Sequence, residues 1–212
     1  MTLTLHQGWV VPWLASEFPG LGVAWVEVEG AAGRSPEPVQ RRLRDLSDRI
    51  YGAQAIRLRE QPVAWSYRVF FRQIGLDPDS TRTPVEQLIF ERLHDGGFKS
   101  QGLPADALTI ATVETGVALR AFDADRLQGR LCIRESMPEE ALPGDPVELD
   151  PGTLVLADEA STLGLLFGAS AEPATVTKDT RRVAIAAVSV GSVPQMAIEE
   201  ALWMAAGALE RA

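Results

Sequence analysis

The chain has 212 residues, 46% of them hydrophobic and 23% charged, which is the composition of a globular protein and excludes a disordered or fibrous one. A chain of this length buries about 70% of the surface its unfolded form exposes, so it can hold a core without metals or disulfides. The single Cys132 excludes an internal disulfide, and with His6 and His94 as the two histidines no usual zinc set is available, so neither a metal nor another cofactor is expected.

The first twenty residues show no basic start, uninterrupted apolar stretch or small-residue cleavage site. No apolar run approaches the ~20 residues that span a bilayer, and the cytoplasm is the expected compartment. Charge is uneven: the net value is −9, yet residues 34–72 hold nine arginines against Glu37, Asp45, Asp48 and Glu60. That stretch is therefore +5 and the remainder −14. A protein that grips phosphates needs a basic face, and Arg41, Arg42, Arg44 and Arg49 are the candidates for one. The simpler alternative is that they form the solvated face of a helix.

Residues 21–28 alternate like a strand, and a Gly/Ala/Pro linker follows. From Pro36 to Ile50, Val39, Leu43, Leu46 and Ile50 recur at three- and four-residue steps, which predicts a helix with its arginines opposite. A second helix is predicted from Pro62 to Ile74, burying Val63, Tyr67, Phe70 and Ile74, with Trp65 in the core. Thr83-Pro84-Val85-Glu86 carries the residues of a capping box with proline at the first helical position, and that helix should end at Gly96-Gly97. A further helix is expected over 105–115, closed by Gly116.

Beyond Gly129 short strands are expected at 131–134, 153–157, 163–167 and 183–190. Residues 135–177 contain nine acids and no Lys or Arg, so this segment is no phosphate-binding surface. Ser192 is expected to cap a final helix from Pro194 onward, whose apolar stretch 201–209 packs on its own sheet or in a dimer. Helices, then strands, then a helix argue an α+β protein in one domain spanning 1–212.

Walker, dinucleotide, Gly-x-Ser-x-Gly and His-Glu-x-x-His motifs do not occur. Cys132 between Leu131 and Ile133 reads as a small buried hydrophobe. Asp123 and Asp125, two apart before Gly129, form either an acid/base pair or, more simply, a turn held by its own carboxylates.

Residues 82–129 nevertheless resemble the B3/B4 domain, the aminoacyl-tRNA editing domain of the bacterial phenylalanyl-tRNA synthetase β subunit. The matching positions are Gly97, Lys99, Ser100, Asp106, Glu114, Gly116, Ala121, Phe122, Asp123, Asp125, Leu127 and Gly129. Looser likeness extends over about 60–194. The resemblance implies a β-sandwich of short strands flanked by helices, a pocket for the aminoacyl end of tRNA, and tRNA or aminoacyl-tRNA as partner. In the synthetase that pocket clears tyrosine wrongly attached to tRNA. Its Thr-Asn pair, a histidine and a late glutamate correspond here to Leu108-Thr109, Arg120 and Ala186. Without the glutamate the pocket loses the buried partner that would select a hydroxylated side chain.

The resemblance implies a pocket at Leu108, Thr109, Glu114, Arg120 and Ala186, with Thr109 and Arg120 facing it. Arg120 either holds a phosphate or carboxylate through its planar fork or pairs on the surface with Asp123 or Glu114. Three functions follow: a deacylase acting in trans on mischarged tRNA, a non-catalytic module binding RNA, an amino acid or a protein, and an assembly protein.

Overall fold

A run of Val183, Ala184, Ile185, Ala186, Ala187 and Val188 has no exposed surface at all, so the strand that carries it is covered on both faces. In the computed structural model, which describes residues 3–30 and 32–210, that strand is β8 (Arg182–Ser189). Position 31 of the expected linker and positions 211–212 lie outside the described residues.

The described residues form, in order, β1 (His6–Gln7), β2 (Trp9–Val10), α1 (Pro12–Glu17), β3 (Gly22–Glu29), α2 (Glu37–Arg49), α3 (Ala53–Glu60), α4 (Pro62–Gln73), α5 (Pro84–Asp95) and α6 (Leu103–Thr115). After these come β4 (Ala118–Asp123), β5 (Cys132–Glu135), β6 (Leu154–Ala157), β7 (Thr162–Leu165), β8 and α7 (Gln195–Glu210). One sheet has the order β1-β3-β8-β4 and the other β2-β5-β6-β7. The first is antiparallel throughout; in the second, β2 runs parallel to β5. The fold is α+β, a β-sandwich flanked by helices, as the sequence led us to expect.

Alternation along β8 explains the layering. Val183, Ile185 and Ala187 point to a core shared with α2, α6 and α7, whereas Ala184, Ala186 and Val188 point to the core between the sheets. The apolar face of α7 therefore packs on its own sheet through Ile198, Ala201, Leu202, Ala205 and Leu209. Helix α4 closes the inter-sheet core with Tyr67, Phe70 and Phe71. The Tyr67 hydroxyl donates to the Val188 carbonyl (2.5 Å) and accepts from the Ala118 amide (3.0 Å), bridging two paired residues of β8 and β4. Burial pushes its pKa well up.

The capping box at Thr83 and Glu86 is present, with Gly96 left-handed at the other end of α5. Glu86 also accepts from Arg68, an α4 guanidinium buried to 3% and held on its other side by Asp79. Residues 118–123 form a strand that was not among the expected elements, and the Asp123–Asp125 turn follows it directly. Two expectations are corrected. Trp65 is not in the core: it is 48% exposed, with the Arg72 guanidinium 5.6 Å from its ring. Ser192 does not cap the last helix, which starts at Gln195; its hydroxyl lies 3.1 Å from that of Ser66. Cys132 is buried in β5 as expected. No helix among the described residues is long and apolar enough to cross a membrane.

One ion pair ties the acidic segment to the second sheet. Arg134 on β5 donates through both terminal nitrogens to Glu140 (2.8 and 2.7 Å), which also accepts from the Thr162 hydroxyl and the Met137 amide. These donors hold the Glu140 carboxyl at about 2, below the usual carboxylate range. A pKa lower in the folded than in the unfolded chain gives stability that is complete above the unfolded value and lost as pH falls through the folded one. Glu140→Gln should thus cost about 1–3 kcal/mol at pH 7, and the gap to wild type should close between about pH 4.5 and 2. Urea unfolding across that range checks this; a pH-independent gap would contradict it.

Candidate functional site

Three separate parts of the chain meet at one end of α6. Its N-terminal cap Gly102 and first two turns, with Pro104, Ala105 and Leu108, face Leu119, Arg120 and Ala121 of β4. The segments 32–33 and 170–178 complete the walls of a cavity of about 430 Å³, within the usual range for a small-ligand site.

Two carboxylates, Asp106 and Asp123, fix two of the walls. Asp106, 1% exposed, accepts from the hydroxyls of Ser35 (2.6 Å) and Ser100 and from the Gln101 amide (2.8 Å). With Leu103 N–H donating to the Gly33 carbonyl (2.8 Å), this locks the 33–35 and 100–102 segments to α6. Asp123, at the end of β4, accepts from the buried Thr180 hydroxyl (2.7 Å), which in turn accepts from the Thr177 amide (3.0 Å). The turn that carries Lys178 is set by this chain of bonds. Asp123 also accepts from the Asp125 amide, and Asp125 pairs with Arg182 (3.0 Å), so both aspartates build structure.

Arg120 anchors the third wall. Its terminal nitrogens donate to the Leu165 carbonyl and the Ser170 hydroxyl, each at 2.7 Å. Gly164 makes room for it: a Cβ there would sit 2.8 Å from the guanidinium and 2.6 Å from the Ala169 carbonyl. Burial lowers the Arg120 pKa to about 10.

The sequence-derived residues are only partly brought together. Leu108 and Arg120 line the cavity; Thr109 is not among the lining residues. Glu114 sits nine residues beyond Ala105, about 14 Å along the helix, and pairs with Arg49. Ala186 is fully buried opposite Arg120 in the β4–β8 register. The surface pairing of Arg120 with Asp123 or Glu114 is not observed, since both carboxylates are engaged elsewhere. Among the four α2 arginines, Arg44 pairs with Glu37 (2.8 Å), Arg49 with Glu114, and Arg42 lies against the Met204 sulfur. Gln101, Ser170 and Lys178 were missed; the available signal was Lys178 itself, the first basic residue after 43 without one.

His6 stacks on Trp25 (5.0 Å), and His94 sits beside Asp95 (2.9 Å) at the exposed end of α5, so neither imidazole lines the cavity. No group of three His, Cys, Asp or Glu residues suited to a metal ion occurs among the described residues.

A family model described as B3/4 domain matches residues 66–199. The chain belongs to the B3/4 domain family. It is similar to the phenylalanine–tRNA ligase beta subunit of Tropheryma whipplei, 33% identical over 139 residues, which is 64% of this chain and 14% of that relative. The beta subunits of Nitrosococcus oceani and Xanthomonas euvesicatoria are 33% and 34% identical over 112 residues, 51% of this chain and 14% of each relative. The chain thus spans about one seventh of the length of these curated relatives. Among solved structures, an N-terminal fragment of the phenylalanyl-tRNA synthetase beta subunit from Pyrococcus horikoshii aligns with a TM-score of 0.44 at 17% identity, over 95% of this chain and 47% of that one. The cavity walls contributed by α6, β4 and residues 170–178 all fall inside the span that the B3/4 model matches.

Asp106→Ala would leave two hydroxyls and an amide without their acceptor. It should lower the unfolding free energy by about 2–4 kcal/mol, read by urea denaturation, with Asp106→Asn costing less. A loss under about 0.5 kcal/mol would contradict the role given to this carboxylate.

Proposed function

We propose that the protein binds the aminoacylated 3′ end of tRNA in the cytoplasm, seats the aminoacyl group in the 430 Å³ cavity, and clears it by ester hydrolysis. What supports this reading is that Leu108 and Arg120, two positions aligned with the family's editing pocket, line the same concave space. The side chains there offer an amide, Gln101, hydroxyls of Ser170 and Thr177, and the cations Arg120 and Lys178. Such a set donates to a carbonyl oxygen as it gains charge. It supplies neither imidazole nor carboxylate to take a proton from the attacking water. That proton transfer falls to the 2′-hydroxyl of the terminal ribose, held beside the ester by the substrate itself. Water then adds to the carbonyl carbon, the bond to the ribose oxygen breaks, and that oxygen leaves with a proton.

The same set of lining groups favours one second reading, a module that binds without hydrolysing. Arg41 and Arg42 are assigned to acceptor-stem phosphates in both readings, because Glu37 and Glu114 already neutralise Arg44 and Arg49.

The test is hydrolysis of a panel of aminoacyl-tRNAs, with binding measured alongside. One or a few should be cleared above the protein-free rate, and Arg120→Ala and the cavity-filling Leu108→Trp should each lower kcat/KM by about tenfold or more. Joint replacement of Arg41 and Arg42 by glutamine should weaken tRNA binding and reduce the log–log salt slope by about 1–2. Binding without clearance anywhere in the panel leaves the module reading; neither binding nor clearance overturns both.

A further inference from the structure

Two inward-facing guanidinium groups of this fold are given a carboxylate, whereas Arg92 donates to the Ser47 carbonyl alone. Arg68 has Asp79 and Glu86, each at 2.5 Å, and Arg134 has Glu140 at 2.7 Å. Arg120 also lacks a carboxylate, and unlike Arg92 it lines the cavity. Its two bonds go to a neutral carbonyl and a neutral hydroxyl, and no described carboxylate lies within 4 Å of it. The residue opposite it in β8 is Ala186, which brings a methyl group and no charge. The Phe122 ring, 5.8 Å from the guanidinium carbon, is the remaining compensation.

A half-buried guanidinium without a counter-charge is compensated by neutral dipoles alone, and one that lines a cavity is free to pair with an anion that enters. Arg120 has five N–H donors, of which the bonds to Leu165 and Ser170 use two. A second cation, Lys178, lies on the opposite rim, placed there by the Thr180–Asp123 bond. The N-terminal turn of α6 adds the positive end of a 13-residue helix to the same wall. The nearest acid on that turn, Asp106, is buried and already accepts from Ser35, Ser100 and Gln101.

We infer that the group this cavity receives is anionic, a carboxylate or a phosphate, held by the fork of Arg120 with Lys178 closing over it. The inference rests on the reading of the cavity as the ligand site and deepens it. A carboxylate would belong to an acidic aminoacyl side chain or a free amino acid; a phosphate would belong to the terminal nucleotide.

The experiment titrates the full chain at constant ionic strength with L-glutamate, L-aspartate, inorganic phosphate and adenosine 5′-monophosphate, and with the uncharged L-glutamine and adenosine, following heat or thermal stability. At least one anion should bind, with its neutral counterpart at least tenfold weaker. Arg120→Gln should weaken that anion at least tenfold and Arg120→Lys less. Since Arg120 also holds the 165–170 segment, the exposed Lys178→Gln provides an independent reading and should weaken the same anion severalfold. Binding confined to glutamate or aspartate assigns the amino-acid source, and binding confined to phosphate or the nucleotide assigns the tRNA source. Equal binding of neutral and charged probes, or no binding by any anion, overturns the inference. A wild-type tRNA-binding signal unaffected by Leu108→Trp would instead overturn the cavity reading itself, so the two failures are distinguishable.

Discussion

The structure depends on burying β8 from both sides. A strand covered on both faces has no solvent-facing positions to spend on charge, and 183–188 accordingly holds only valine, isoleucine and alanine. The larger residues Val183 and Ile185 meet the helices, while Ala184 and Ala186 keep the inter-sheet side shallow. That shallow face is what lets Trp25, Phe122 and the Tyr67 ring fill the space between the sheets. It also leaves room for the Arg120 side chain to run across from β4 to the Leu165 carbonyl of the opposite sheet.

The site follows from the same arrangement. Because β4 lies at the edge of its sheet, residues 119–121 are covered by α6 on one side and by 170–178 on the other, and the gap between these covers is the cavity. Loops of this kind are free to wander unless tied. Asp106 and Asp123 tie them, each by accepting from donors on a different segment, so the walls are preorganised before any ligand arrives. Electrostatics then separates functions along the chain. Carboxylates offset the guanidinium groups of Arg68 and Arg134, whereas Arg120 in the cavity is left with neutral partners.

Much of the architecture was legible where local chemistry decides it. The Thr83–Glu86 capping box, the α2 stripe of Val39, Leu43 and Leu46, and the glycines ending α5 and α6 are signals carried within a few residues. β4 was not legible as a strand, because Leu119 and Ala121 face the helical core while Ala118 and Phe122 face the inter-sheet core, and burial on both sides erases the period-two pattern. Arg68 and Trp65 exchange the places their hydrophobicity suggests, since Asp79 and Glu86 arrive from elsewhere in sequence to make the arginine a core residue. Leu108 and Arg120, which the resemblance assigned to a pocket, line the cavity. The resemblance could not supply Gln101, Ser170 and Lys178, which depend on how distant loops close.

In the proposed function, the cavity between α6 and β4 receives the aminoacyl end of tRNA. The most direct measurement is an amide chemical-shift titration of the isotopically labelled chain with adenosine carrying a non-hydrolysable 3′-amide-linked amino acid. The account predicts saturable shifts centred on Gln101, Leu108, Arg120, Ser170 and Lys178, abolished by Leu108→Trp. Shifts confined to another face, or none at millimolar probe, would contradict it.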